Sequence, residues 1–356
     1  MEPITHFLTG ACLGRAGLNR KTALATAATT LAAEAPDLDV LYDFGGRITG
    51  FQHHRGWTHT FLGLFVVNLA VIALLYGWYR WKVKRGNWKH DRPPRWALLY
   101  GFCMIAGLSH LLLDFTNNYG VRPFMPFSYR WYSWDIVFIV EPVLWIILLG
   151  GLALPSLFGL IDAEVGARKK GFRGRGWAIA ALIGMIALWA VRDFQHRKAV
   201  NALAALTYDG LDASRVSAFP YYLNPFRWAG VVETSNFFET MELNSLTGEV
   251  DAQNRARVYY KNPETPVTLA AKKSRLGRVF LDWAQYPYVE QERLTAPESG
   301  YMVHFHDLRF AYPDTRRAAL GAFVLVDDDL HVTRQDFERM LERDRLRGKG
   351  NGDGTP

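Results

Sequence analysis

The chain has 356 residues, a formal net charge of +7, 49% hydrophobic residues and a mean hydropathy of −0.05. That length admits two domains. The averages suit a soluble protein, but the distribution excludes a wholly soluble one, because apolar residues crowd the region before about residue 192. The positive charge lies mostly in loop clusters and reads as membrane topology rather than a nucleic-acid surface. Cys12 and Cys103 fall inside apolar runs, where neither a disulfide nor thiol chemistry has a visible partner.

Residues 4–17 and 21–34 are Ala/Leu/Thr-rich runs joined by a basic turn, predicted to form a helical hairpin. Each is shorter than the roughly 20 residues that cross a bilayer comfortably. The first run lacks the basic flank and cleavage site of a signal peptide and is not expected to be one. Residues 35–59 read as a polar loop holding Pro36-Asp37-Leu38-Asp39 and Gln52-His53-His54-Arg55-Gly56-Trp57-Thr58-His59. Four transmembrane helices are then expected, at Phe61–Tyr79, Trp96–Phe115, Ile136–Leu160 and Trp177–Val191. Trp78, Trp81, Trp96, Trp131, Trp134 and Trp177 lie at their edges, as in an interfacial aromatic belt.

Basic residues concentrate in 15–21, 80–95 and 161–176, alternating with 35–59 and 116–134. The positive-inside rule makes the first set cytoplasmic. The polar loops, both termini and everything after residue 192 are then periplasmic in a bacterial inner membrane. His6, the Asp37/Asp39 pair, His54 with His59, and His110 with Asp114 all arrive at that one face. Lys and Arg alone set this orientation, so the convergence of ligand-type residues supports it independently.

From about residue 195 short alternating runs appear at Val231–Phe238, Arg255–Tyr260, Val267–Ala271, Gly277–Asp282, Tyr301–Phe310 and Ala319–Val326. They predict a small, mostly-β extramembrane domain with a terminal helix at Gln335–Arg345. The expected organisation is a membrane domain over 1–192, a β-rich domain over 193–345 and a disordered tail over 346–356. No internal repeat or pair of Gly/Pro-broken spans is visible, which argues against a transporter.

Imidazole is the commonest ligand for zinc and similar ions. Ser109-His110-Leu-Leu-Leu-Asp114 places an imidazole and a carboxylate four apart on a helix, on one face. Ionisable groups inside a span are costly and therefore functional by default. His54 and His59 are further ligand candidates, with His53 outside the spaced pattern. Asp37 and Asp39, read as one side of an extended segment, could bridge cations or divide ligation from base work. His6 completes the candidate metal set. Arg55 could recognise a phosphate or carboxylate through a bidentate fork, or bridge Asp37 or Asp39. Asp37, Asp39 and Arg55 are the catalytic candidates. Thr58, Asp135 and Glu141 are candidates for orienting the ligands, with Arg122 or Arg130 as other partners for Glu141. His304 and His306 share a strand face, but no third ligand is evident beside them, and they read as structural or surface residues.

The combination of His6, Pro36-Asp37-x-Asp39, His54-Arg55-Gly56-x-Thr58-His59 and Ser109-His110-x-x-x-Asp114 resembles the bacterial inner-membrane metal-dependent hydrolase family. Its members are also described as LexA-binding hydrolases. The resemblance covers roughly residues 1–192, extending weakly through Arg122–Ser128 to Glu141-Pro142; the ordering is also distantly similar to zinc-dependent phospholipase C enzymes. It implies a metal site more firmly than a substrate. The expectation is a hydrolase using one or two divalent ions, zinc by donor chemistry, to activate water against an ester or phosphoester of a lipid-linked substrate. Membrane lipids, and a protein partner for the C-terminal domain, are the expected associations; nucleic acid is not. The competing reading is a non-catalytic scaffold or regulator with a structural metal.

Overall fold

The computed structural model describes residues 1–90, 93–164, 174–295, 299–313 and 320–338, with 159–164 described by backbone alone. Contacts divide the chain into two units. Met1–Leu41, His53–Gln195 and Pro220–Pro225 form the first; Tyr42–Gln52, His196–Phe219 and Phe226–Pro356 form the second.

The first unit begins with α1 (Pro3–Arg15) and α2 (Ala25–Glu34). Pro3 stands in the first turn of α1, where a missing N–H costs nothing, and the Glu2 side chain caps Thr5 N. The two helices approach closely because Gly10 and Gly14 stack one turn apart. A Cβ at Gly10 would lie 2.6 Å from Thr29 O and 2.7 Å from Ala33 Cβ, and one at Gly14 would lie 2.6 Å from Thr26 Cα. Small residues at this spacing let helix backbones meet where lipid offers no hydrophobic drive. The other faces of the hairpin bind different helices. Leu8 and Cys12 of α1 pack with Leu144 and Leu148 of α6 (Pro142–Glu164) and with Met185 and Trp189 of α7 (Gly174–Ala204). Ala25, Ala28 and Ala32 of α2 pack with Val71 and Leu75 of α4 (Phe61–Lys84) and with Leu99, Phe102 and Cys103 of α5 (Trp96–Thr116). Both cysteines are free and buried.

Among the described residues three helices, α4, α5 and α7, are long and apolar enough to cross a membrane. Their outer faces carry exposed Phe65, Leu69, Leu74, Ile183 and Ile186, apolar surface that lipid would cover. The expected fourth span is shorter: its described apolar part is Pro142–Phe158. Residues 136–141 are not helical, because the Ile136 and Val137 N–H groups both bond Thr116 O, at 3.0 and 3.1 Å. The last span runs on to Ala204 rather than stopping near 191. Residues 35–59 are not an open loop. They form a 3-10 stretch over Ala35–Gly45, helix α3 over Arg47–His53, and a 3-10 turn over Trp57–His59.

The second unit holds two four-stranded sheets, ordered β1-β2-β3-β4 and β5-β6-β7-β8. The first contains β1 (Arg215–Pro220), β2 (Arg227–Glu233), β3 (Phe237–Asn244) and β4 (Arg257–Tyr260); the second contains β5 (Pro287–Arg293), β6 (Tyr301–Asp307), β7 (Gly321–Val326) and β8 (Val332–Phe337). Between them lie α8 (Pro266–Lys273) and α9 (Arg275–Trp283). The strands expected at 267–271 and 277–282 are therefore helices. A short apolar run does not separate strand from helix by period alone. The decisive signals were Thr265-Pro266, which forms a capping box with Thr268, and Ser274, which caps Gly277 N. The run at 231–238 spans a β2–β3 turn, and 335–337 is strand where a helix was expected. Glu338 follows as a turn, and residues 339–345 and the 346–356 tail lie outside the described residues. Tyr42–Gln52 joins this unit through Phe51, whose ring packs 5.2 Å from that of Trp283 and 5.0 Å from that of Phe337. Arg275 also donates to Thr49 Oγ1 at 2.9 Å.

Candidate metal centre

Four sequence-distant elements deliver polar side chains to one place in the first unit. α1 carries His6, and the 3-10 stretch after α2 carries Asp37 and Asp39. His59 ends the short turn before α4, whose first N–H groups are capped by Thr60, accepting from Gly63 N at 2.7 Å. Thr58, a candidate for orienting the ligands, faces the His59 Nδ1 with its hydroxyl at 3.1 Å. The last turns of α5 present His110 and Asp114 one above the other.

One ligand atom each from Asp37, His59, His110 and Asp114 lies within 4.8 Å of all the others. His59 Nε2 is 3.0 Å from His110 Nε2, 3.3 Å from an Asp37 oxygen and 3.3 Å from an Asp114 oxygen. The far side of each imidazole fixes its tautomer. His110 Nδ1 donates to Ala33 O at 2.6 Å. His59 Nδ1 lies 3.3 Å from Asp39 Oδ2. Both Nε2 lone pairs therefore point inward, the orientation in which a carboxylate or carbonyl behind the ring prepares histidine for a metal. Asp37 and Asp39 do not share a side, because a 3-10 stretch turns three residues per revolution. Asp37 reaches the ligand cluster, whereas Asp39 stands behind His59.

The donor set fits a cation. His6 Nδ1 and Nε2, Asp37 Oδ2 and Asp114 Oδ2 are buried without hydrogen-bond partners, which is costly unless something compensates them. The His6 ring stacks on His110 at 3.7 Å, with its Nε2 3.5 Å from Asp114 Oδ1. Burial pushes His59 well below the usual histidine range, so it is neutral. The α-amino group of Met1, which contacts Asp114, is likewise held low by burial. Asp37, Asp39 and Asp114 thus gather around the imidazoles with one guanidinium among them, a carboxylate-rich surrounding that suits a divalent ion.

That guanidinium belongs to Arg55, and its partners differ from both sequence-based alternatives. Its Nη2 pairs with Asp114 Oδ1 at 2.7 Å, and its Nη1 donates to Asn117 Oδ1 at 3.2 Å and Gly120 O at 2.9 Å. Only its backbone N–H meets Asp39, at 2.7 Å. The side chain lies over Tyr119 at 4.7 Å and is buried, which pushes its pKa down to about 10. Arg55 thus ties Asp114 to the end of α5, and its fork is not presented to a ligand. Asn117, Gly120 O and Ala33 O are parts of the site that no motif spacing announces.

The remaining candidates fall outside the ligand cluster. His54 is 40% exposed and meets Asp39 at 3.4 Å. Asp135 adopts positive φ just before Ile136 and is not among the converging ligands. Glu141 pairs with Arg192 of α7 at 2.5 Å, not with the cluster, Arg122 or Arg130. Arg192 also donates to Tyr221 O and Asn224 O, both at 3.2 Å. Its partner was hidden because α7 extends beyond the apolar run that ended the sequence-predicted span.

Apolar helices that bury imidazoles and carboxylates about one point define a membrane protein with a candidate metal-binding site. The chain belongs to the YdjM inner membrane protein family, whose profile matches residues 1–199. Residues 266–350 match the YfhP C-terminal alpha/beta plait domain. The chain is also similar to the uncharacterized protein YfhP of Bacillus subtilis (strain 168), with 24% identity over 321 residues and 87% of each chain covered. No solved structure gives a significant match.

Proposed function

We propose that the protein is a membrane-bound metal-dependent hydrolase acting on an ester or phosphoester of a lipid-linked substrate at the periplasmic face. The observation that carries the proposal is the inward convergence of His59 Nε2 and His110 Nε2 with Asp37 and Asp114. Asp37, His59, His110 and Asp114 would hold the ion, with His6 in reach of the same carboxylate. A bound zinc-like ion supplies Lewis acidity and lowers the pKa of water from 15.7 to about 7. Asp37, whose Oδ2 is buried without a partner, is the member of the four with an oxygen left to take a proton from water within the site. Asp39 and Ala33 O hold the imidazoles in the ligating tautomer, and Arg55 fixes Asp114. The location of the site, at the ends of α4 and α5, favours a substrate presented from the bilayer, such as a phospholipid or an isoprenoid phosphate.

Four protein donors also match a closed structural zinc site, whereas a catalytic one keeps a position open. That observation favours the second reading, a scaffold or regulator with a structural ion and a partner-binding C-terminal unit. The test begins with metal content of the purified protein by mass spectrometry, for wild type, His59→Ala and Asp114→Ala. It continues with phosphate or headgroup release from mixed lipid vesicles. Stoichiometric metal and turnover, lost together in both variants, is the expected result. Metal without turnover leaves the structural reading, and a wild type that takes up no metal overturns both. For orientation, an alkaline phosphatase fusion after Gly210 should be active in a bacterial host; a silent fusion reverses the assigned face.

A further inference from the structure

A separate cluster lies on the sheet β5-β6-β7-β8. Alternation along β6 puts Met302, His304 and His306 on one face. The two imidazole rings there are parallel, 4° apart, with centroids separated by 6.0 Å. The register sets Glu290 of β5 opposite His304 and Gly321 of β7 opposite His306. Glu338 follows β8 and donates its N–H to Gly321 O at 3.0 Å. Its carboxylate lies over that glycine: a Cβ at position 321 would stand 2.5 Å from Oε2 and 2.6 Å from Cδ. The missing side chain is what lets the carboxylate rest beside the histidines.

We propose that this face is a second metal site, in which His304, His306 and Glu338 hold a divalent transition-metal ion of the zinc, copper and nickel group. Glu338 Oε1 is 3.0 Å from His304 Nδ1 and 3.7 Å from His306 Nε2. Bonds of about 2.0–2.2 Å in a tetrahedral arrangement put neighbouring ligand atoms roughly 3.3 Å apart, so the observed pair brackets the required spacing. One ligand atom from each of the three lies within 4.8 Å of the others. Charge points the same way. Glu290 reaches His306 Nε2 and Glu292 reaches His304 Nε2, both at 3.5 Å, so three carboxylates surround two imidazoles. His306 Nδ1 is buried with no hydrogen-bond partner, leaving the ring without a second anchor. Imidazole with carboxylate is the donor set of borderline metals rather than of calcium or magnesium. The His304, His306 and Glu338 side chains are 18–21% exposed, so the site opens to solvent and its ion is exchangeable. Sequence alone missed the third ligand because Glu338 is brought in by strand pairing across 32 residues from His306.

The test uses the full-length protein in detergent, titrated with Zn(II) by equilibrium dialysis and with Co(II) by visible absorption. The variants are His304→Gln/His306→Gln, Glu338→Gln and Gly321→Ala. The double variant is expected to bind one equivalent fewer than wild type and to lose the corresponding Co(II) band. Glu338→Gln and Gly321→Ala should each weaken that equivalent at least about 10-fold, with melting unchanged. His59→Ala should leave it in place, which separates this site from the buried one. Wild-type stoichiometry and affinity in the double variant would overturn the proposal and reduce the cluster to an ion-paired sheet face. A wild type holding a single equivalent that His59→Ala removes would overturn it equally. If the double variant does not fold, Gly321→Ala and Glu338→Gln decide alone: unchanged Zn(II) binding in both rejects the site.

Discussion

Around Asp37, His59, His110 and Asp114 the imidazoles are fully buried, and a carbonyl or carboxylate behind each ring fixes its tautomer. Around His304, His306 and Glu338 the side chains stay near one-fifth exposed, ringed by spare carboxylates on an open sheet face. Both clusters offer two imidazoles and acid oxygens at similar spacing, yet burial changes what each can tolerate. A buried charge that loses its partner has no water to fall back on, whereas a partly exposed one is resolvated more cheaply. Coordination chemistry can be alike while the cost of disturbing it differs severalfold.

The widest gap should come from Asp114→Ala, which removes a ligand and also strands the buried Arg55 guanidinium. A loss of about 3–5 kcal/mol is expected, against a change within about 0.5 kcal/mol for Glu338→Gln. Chemical denaturation of the two variants compares them directly, and equal losses would break the contrast. Glu141→Ala should cost a comparable 3–5 kcal/mol by orphaning Arg192, yet leave metal content at the wild-type value. A fall in bound metal would return Glu141 to the site. Gly14→Val is next, at about 1–3 kcal/mol from overpacking against α2. It should lower metal affinity at the buried site, since α1 and α2 carry His6 and lead into Asp37, and leave Zn(II) binding at the sheet unchanged.

The smallest expected effect is on pH, and its sign differs between the clusters. Burial lowers the His59 pKa, so the unfolded chain takes up the proton first. Stability of the metal-free protein is full above the unfolded value of about 6.5 and falls as pH drops below it. For His304 burial also lowers the pKa, but the Glu338 hydrogen bond and the charges of Glu338 and Glu292 outweigh it, and the net shift is upward. That contribution is present below about 6.5 and is lost as pH rises through the folded value. Hydrogen exchange of the metal-free protein at pH 5.5 and 7.5 should therefore show α5 amides losing protection on acidification while β6 amides gain it. A parallel response in both units would sink the assignment.

The sequence disclosed the side chains that carry fixed local geometry. His110 and Asp114 share a helix face by spacing alone, and three of the four expected spans, α4, α5 and α7, are legible as unbroken apolar runs. What it concealed depends on through-space partners. Arg55 was weighed between a ligand and the 37/39 pair, but the end of α5 captured it, because Asn117 and Gly120 O come close only once the helix terminates there. Asp37 and Asp39 were placed on one side by strand period, and a 3-10 stretch separated their roles. In the second unit, the short runs at 267–271 and 277–282 suit strands by length, but the caps at Thr265 and Ser274 start helices there.

The segment Tyr42–Gln52 is packed with the second unit, although the chain enters it from Asp39 and leaves it toward His54. Were those residues a loose tether, bringing its ends together would cost about 2 kcal/mol of chain entropy, from (3/2)RT ln n with n of about 14. Folded as α3 with Phe51 set against Trp283 and Phe337, the tether has surrendered that freedom before any ion arrives. Order in the stretch between the two ligand-bearing segments is thus supplied by aromatic packing within the second unit, by residues that follow it in sequence by more than 200 positions.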